Sequence, residues 1–487
     1  MFHMTSHVML HVMLLLLVAG GWAQTGVEYV LTQEGVNQII DVVWPDVDAL
    51  ITTVIIPDCT VEVDSPLGTL DITLSQVTIK SLDITPEHIV ASFVEGVGMN
   101  GGASEVGATF ALNWAWEMQN WPYTSDSGTA DASAEDASIQ GTFALGMDQY
   151  RPHIECTDMS TDLGDVQIEI NGSSYAWFYN IFADIFMSTL EKDAEAAIDM
   201  VVSTVLMDEL NTAFLETDTD IPIDDSVDLD MRMMSPPSIG STYLSEAYSG
   251  MVHSPMYDIE MPGFDPSPLP LVIDSSPIQL VCDAMLFDSL YYTYYMEDMF
   301  QGVTKDTNSG EAHDFLNTNA WMDQVPALYD YCPGCNMRVR TNTTDVPTVS
   351  MAPGAMLVSS SMLMAVDVES VSASEWVEAF TLSVDAVFSV DVSVQVTNIT
   401  LTHTPYTFDA AMEDNHVDGL TSDDLEWPLV VFLYEGVTPF LNSWSDQHNF
   451  AIVEIYPGVA ITDPHTFYSD TYVMVGGGIG RMEMMEQ

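Results

Sequence analysis

From Leu382 to Val396 every even-numbered position is apolar (Leu382, Val384, Ala386, Phe388, Val390, Val392, Val394, Val396), while most odd positions are Ser, Asp, Gln or Thr. A period of two over fifteen residues puts the apolar side chains on one face of a strand and the polar ones on the other. At about 3.3 Å per residue such a strand reaches roughly 50 Å, far beyond the usual strand. Its twist accumulates with length, so a sheet of such strands has to wrap around something equally long. Leu70 to Leu74 and Gly128 to Leu145 alternate in the same way, with phase slips near Ser75 and Asp136 that predict bulges.

The long partners are amphipathic helices. After Thr32, an N-cap residue, the apolar positions Val36, Ile39, Ile40, Val43, Val47, Leu50, Ile51 and Val54 follow helical spacing until Pro57, and Pro45 is expected to kink the helix or restart it. A second helix is expected from about Ser174 to Phe214, with a wide aromatic stripe through Trp177, Phe178, Ile181, Phe182, Ile185 and Phe186. Met285 to Phe300 and Leu429 to Trp444 are the candidates in the other half, the latter interrupted by Gly436 and Pro439. Helix, strands, helix thus occurs twice. Between the two runs lies Pro262-Gly-Phe-Asp-Pro-Ser-Pro-Leu-Pro270, whose prolines favour an extended, stiff connector.

At 487 residues the chain suits two domains of roughly 200 residues each. The fold class read from the residues is α+β, with strongly twisted antiparallel sheets wrapped around long helices. The expected division is a leader over 1–23, an N-terminal domain over 24–254, the proline-rich linker over 255–272 and a C-terminal domain over 273–487.

The leader reading rests on the apolar run Val8 to Gly20 and the small-residue pattern Gly21-Trp22-Ala23. It predicts secretion and an oxidising environment. The sequons at Asn171, Asn342 and Asn398 agree as glycosylation sites. Five cysteines leave at least one unpaired, so this is no disulfide scaffold; Cys332-Pro-Gly-Cys335 is expected to close a small local disulfide.

Eight basic residues stand against 73 acidic ones, a net charge of −65. That excludes a nucleic-acid partner, whose affinity comes from Lys and Arg displacing counterions, and it predicts weak affinity for anionic membranes. A salty or calcium-rich medium makes such self-repulsion tolerable, and a cationic partner or calcium is the other reading of the charge. Glu216-Thr-Asp-Thr-Asp220 has calcium-like alternation, yet Ile221 stands where an EF-hand loop needs its turn glycine and Val227 where it needs its bidentate Glu. The sequence contains no HExxH, no GxSxG and no dinucleotide fingerprint, so no catalytic residues, no metal ligands and no cofactor are assigned.

Several segments, in order, resemble the family of bactericidal/permeability-increasing protein, lipopolysaccharide-binding protein and cholesteryl ester transfer protein. Gly26 to Val36 resembles its opening into the first helix, and Ile55-Ile-Pro-Asp58 the end of that helix. Tyr175 to Phe182 looks like the start of its long second helix, and Ser235-Pro-Pro-Ser through Tyr248-Ser-Gly like the closing strand of its first barrel. In the second half Tyr331 to Arg340, Pro347 to Gly354, Val437-Thr-Pro-Phe-Leu-Asn442, Tyr456-Pro-Gly-Val459 and Tyr472 to Val475 continue the match. The resemblance implies a boomerang: two elongated barrels joined by a central sheet, each with an apolar pocket for lipid. It also implies a disulfide from the neighbourhood of Cys156 to the second helix, but Val201 and Val202 stand there, which leaves Cys156 free or paired with Cys59. The cationic tip used by lipopolysaccharide-neutralising members is missing as well, because Lys80, Arg151, Lys192 and Arg232 are the only cations of the first half.

The function this implies is a secreted, non-enzymatic carrier of phospholipid or a similar acyl lipid, neutral or zwitterionic, acting in lipid transfer or in recognition of microbial lipid. Burying sixteen methylenes is worth roughly 13 kcal/mol at about 0.8 kcal/mol each, which a bilayer nearly matches, so a carrier needs a long dry slot more than specific contacts. Ile39, Val43, Val47, Trp177, Phe178, Ile181 and Ile185 are the residues expected to line the first pocket. The alternatives are an acidic structural or adhesive glycoprotein using the same fold without lipid exchange, and a carboxylate-dependent hydrolase.

Overall fold

The computed structural model describes residues 25–51, 55–56, 58–65, 68–120, 123–171, 195–196, 198–271, 274–305, 315–369, 375–395, 398–447, 450–451 and 459–481. Strand β1 (Val27–Thr32) runs directly into helix α1 (Gln33–Ile51). Thr32 caps the helix as expected, its hydroxyl accepting the Gly35 N–H at 3.3 Å. The helix continues through Pro45, where a kink or restart was expected. Four long strands follow: β2 (Gly68–Asp83), β3 (Gly98–Met118), β4 (Ser125–Asp148) and β5 (Arg151–Asp162), consecutive neighbours in one antiparallel sheet of eight strands.

Both phase slips in the sequence are bulges. The β2–β3 register shifts between Ser75 and Thr78, with Gln76 at φ 53°, and the β3–β4 register shifts around Val106, with Asp136 at φ 60° and Glu105 at φ 53°. Of the expected second helix the described residues show helix at 195–196 and 198–200, a π-helical turn at Val201–Leu206 and α2 (Met207–Glu216). Strand β6 (Tyr243–Tyr248) closes the half.

The second half repeats the order. β7 (Ile278–Asp283) leads into α3 (Ala284–Met296), which Asp283 caps by accepting the Met285 N–H at 2.8 Å. Strands β8 (Gln301–Lys305), β9 (Met337–Thr343), β10 (Ala355–Glu369), β11 (Trp376–Gln395) and β12 (Asn398–Asn415) are successive neighbours in a seven-stranded antiparallel sheet. In β11 the alternation holds residue for residue: Leu382, Val384, Ala386, Phe388, Val390, Val392 and Val394 are all buried, while Val396 lies outside the described residues. α4 (Glu426–Phe432), a π-helical turn at Leu433–Val437 and α5 (Thr438–Gln447) pack against the inner face before β13 (Val459–Tyr468) and β14 (Tyr472–Arg481) end the fold.

Both halves build one further sheet. Its order is Ser238–Ile239, β6, β1, β7, β14, β13, so strands from the start, the middle and the end of the chain lie side by side. Its apolar face joins α1 and α3 in one core that includes Val36, Ile39, Leu280, Phe287, Leu290 and Val390. This sheet also buries acids. Glu28 is 3% exposed and Glu246 1%; burial pushes the Glu28 carboxyl up to about 7, against the Ser245 hydroxyl bond that favours its ionised form, and holds Glu246 well above the carboxylate range. Of the few cations, Arg232 is committed to Asp230, and Arg338 and Arg340 to Asp367.

Candidate functional site

In the second half a cavity of about 140 Å³ lies between the inner face of the sheet and the helices. Its apolar wall comes from Phe300, Val358, Met362, Phe388, Phe432, Val437, Phe440 and Leu441. Val358, Met362 and Phe388 are there because period-two alternation on β10 and β11 turns them inward.

The helical wall has a different cause. Pro439 has no N–H to return to the preceding turn, and just before it the helix carries the extra residue of a π turn. There the backbone N–H and the hydroxyl of Thr438 both donate to the Leu433 carbonyl, the hydroxyl at 2.8 Å. Gly436 sits in this turn because a β-carbon would meet the Phe432 ring at 3.0 Å. Phe432, Gly436, Val437, Phe440 and Leu441 therefore all reach one cavity.

The inward stripes of the sheet are apolar with four exceptions near this cavity: Thr341 and Thr343 on β9, Ser360 on β10 and His403 on β12, and all four line it. His403 is 1% exposed. Its Nε2 lies 2.7 Å from the hydroxyl of Tyr291 on α3, and its Nδ1 has no partner at hydrogen-bond geometry among the described residues. Burial pulls the imidazole down to about 4, the Asn442 side chain acting in the opposite sense, so the ring is neutral at pH 7. Burial also pushes the Tyr291 phenol upward, which keeps it protonated.

Asn442 on α5 fixes His403 through the backbone: its Oδ1 accepts the His403 N–H at 2.7 Å and its Nδ2 donates to the His403 carbonyl at 3.3 Å. The first half contains the same clamp. Asn211 on α2 accepts the Ile154 N–H at 2.9 Å and donates to the Ile154 carbonyl at 2.8 Å. Each asparagine follows a leucine, and each comes five residues after the end of a π turn, at Leu206 and Val437. Ile154 on β5 is thus the first-half counterpart of His403.

Of the residues expected to line the first pocket, Ile39 is fully buried in the core beneath the central sheet. Val43 and Val47 lie on α1 with side chains outside the described residues, as do Trp177, Phe178, Ile181 and Ile185 altogether. The second-half lining was missed, although the polar residues at inward strand positions were a signal. Cys332 and Cys335 form the expected local disulfide, Cα atoms 5.6 Å apart, and Cys156 is free. Asn171 and Asn342 are exposed on strands, and Asn398 begins β12 with its side chain outside the described residues. Glu378, Asp414 and His416 come within 4.8 Å of one another at the surface, but Arg340 already neutralises Glu378 at 2.7 Å.

Comparison with known proteins gives one consistent result. The C-terminal domain model of the LBP / BPI / CETP family matches residues 222–476, just over half of the chain and all of the cavity lining. A protein of Arabidopsis thaliana assigned to the BPI/LBP family is 23% identical over 292 residues, 59% of this chain and 58% of its own length, so the chain spans little more than half of that relative. The crystal structure of lipopolysaccharide binding protein superposes with a TM-score of 0.58 at 16% identity, covering 95% of this chain and 100% of the other, which establishes a shared fold.

Proposed function

This chain belongs to the LBP/BPI/CETP family, and on that premise we propose that it is a secreted, non-catalytic lipid-binding protein that holds an acyl lipid between helix and sheet in each of two tubular halves. The observation that carries the reading is the second-half cavity, with its aromatic and aliphatic wall and its few convergent polar groups. Its 140 Å³ is below the roughly 300 Å³ at which drug-sized pockets begin, so it takes a segment of a lipid.

The charge selects among lipids. With Arg232, Arg338 and Arg340 each tied to an internal carboxylate and a net charge of −65, the chain offers little to a polyanionic head group. The ligand is neutral or zwitterionic, phosphatidylcholine being the simplest candidate. The apolar run Val8 to Gly20 supports secretion, and the Cys332–Cys335 disulfide and exposed Asn171 and Asn342 sequons suit an extracellular glycoprotein.

Exchange of fluorescent phosphatidylcholine from neutral vesicles tests the reading. The wild-type chain is expected to take up the probe, and Val358→Trp, which fills the second cavity, to take up less while remaining folded. Uptake at the level of an unrelated acidic protein would overturn it.

A further inference from the structure

The lipid-binding reading treats the cavity as hydrocarbon, yet its most buried polar group is left incomplete. Among the described residues the Tyr291 hydroxyl has His403 Nε2 as its hydrogen-bond partner. A buried phenol must place its proton somewhere, so it donates to Nε2. The imidazole is neutral, so its own proton then resides on Nδ1. Among the described residues no acceptor meets that N–H at hydrogen-bond geometry: the Asn442 carboxamide lies close enough to favour the charged ring, but it is already bonded to the backbone of the same residue. Native proteins satisfy buried donors in the great majority of cases, and an unmet one on a residue that lines a cavity asks for an acceptor from a ligand.

The repeat sharpens the point. Asn211 and Asn442 clamp Ile154 and His403 identically, so the fold needs no histidine at this place: the first half holds an isoleucine there, 3% exposed. The polar side chain belongs to the second half alone, where Thr341, Thr343 and Ser360 also interrupt the inward stripes at the same cavity.

We propose that the second-half cavity recognises an uncharged acceptor on its lipid, an ester carbonyl, through Nδ1–H of His403 oriented by Tyr291, a donor that Ile154 at the equivalent place in the first half does not supply. This rests on the lipid-binding reading and adds a chemical class to it. A carboxylate or phosphate in the same spot would be buried beside a neutral imidazole with no cation among the described lining residues, so an uncharged group is selected.

The test is calorimetric titration of the full chain with three probes of equal chain length: the glycerol monoester of palmitic acid, its ether analogue lacking the carbonyl, and hexadecane. Wild-type protein is expected to prefer the ester over the ether by about 10-fold, the size of one buried hydrogen bond. His403→Leu should lose the preference for the ester over the ether while still binding hexadecane. Tyr291→Phe, which keeps the imidazole but frees its tautomer, should reduce it, and Ile154→Leu should leave it unchanged. Equal affinity of wild-type protein for ester and ether, with hexadecane still bound, overturns the assignment of His403 and leaves the lipid-binding reading intact. Failure to bind any of the three overturns that reading itself.

Discussion

Glu28 offers the sharpest test of how the central sheet is held. Its carboxyl lies in β1 at 3% exposure, accepts the Ser245 hydroxyl, and is pushed by burial from 4.5 to about 7. Each unit of such a shift corresponds to about 1.36 kcal/mol, so ionising Glu28 in the folded state costs about 3 kcal/mol. The folded value is the raised one, so the unfolded chain loses its proton first. The contribution of Glu28 is therefore fully present below about pH 4.5 and is lost as pH rises through about 7. Glu246 acts in the same direction, and Asp283, raised from 3.8 to about 6, adds to it. The depressed carboxyls Asp224, Asp230, Asp274 and Asp367 lose their contribution only as pH falls below the usual carboxylate range, outside this window. Glu28→Gln keeps shape and hydrogen bonding without titrating. In urea unfolding followed at pH 4.5, 6 and 8, the wild type should lose stability towards pH 8, and the variant should lose about 3 kcal/mol less over the same interval. The two should be similar at pH 4.5. Parallel pH profiles for the two proteins would refute the claim that this carboxyl is protonated in the fold.

Three further outcomes follow from the geometry. Asn442→Ala and Asn211→Ala each remove two hydrogen bonds to a strand backbone and should cost about 1–3 kcal/mol, read as faster amide exchange at His403 and Ile154 respectively, each in its own half. Gly436→Val drives a side chain into the Phe432 ring and should reduce lipid uptake while far-ultraviolet circular dichroism stays unchanged. Asp367→Ala leaves Arg338 without its carboxylate and Arg340 with Glu378 alone, and should lower stability by about 1–3 kcal/mol, measured by urea midpoint at pH 7.

Much of the fold was legible because long strands repeat one local rule many times. β11 needed only its alternation, and the slips at Ser75 and Asp136 marked bulges because a single extra residue inverts the phase of everything after it. Gly436 and Pro439 marked a break in the helix, but periodicity alone does not tell a π turn from a kink. The site was less legible. Thr341, Ser360 and His403 lie on three separate strands and become neighbours only through strand pairing and curvature. The Asn211 and Asn442 clamps share no more than a Leu-Asn pair in sequence, below what chance supplies. Glu28 and Glu246 could not be singled out among 73 acids; the apolar context of β1 hinted at burial, but β6 reads Tyr-Leu-Ser-Glu-Ala-Tyr and gives no phase. The expected first-pocket residues came from helix periodicity, which identifies a buried face without saying whether protein or lipid covers it.

The central claim is that the cavity between helix and sheet is a lipid site, and native mass spectrometry of the purified full-length protein tests it most directly. The account predicts masses above that of the lipid-free protein that correspond to neutral or zwitterionic acyl lipid, lost on denaturation and diminished in Val358→Trp. A single lipid-free mass that stays unchanged after incubation with phosphatidylcholine vesicles would contradict it.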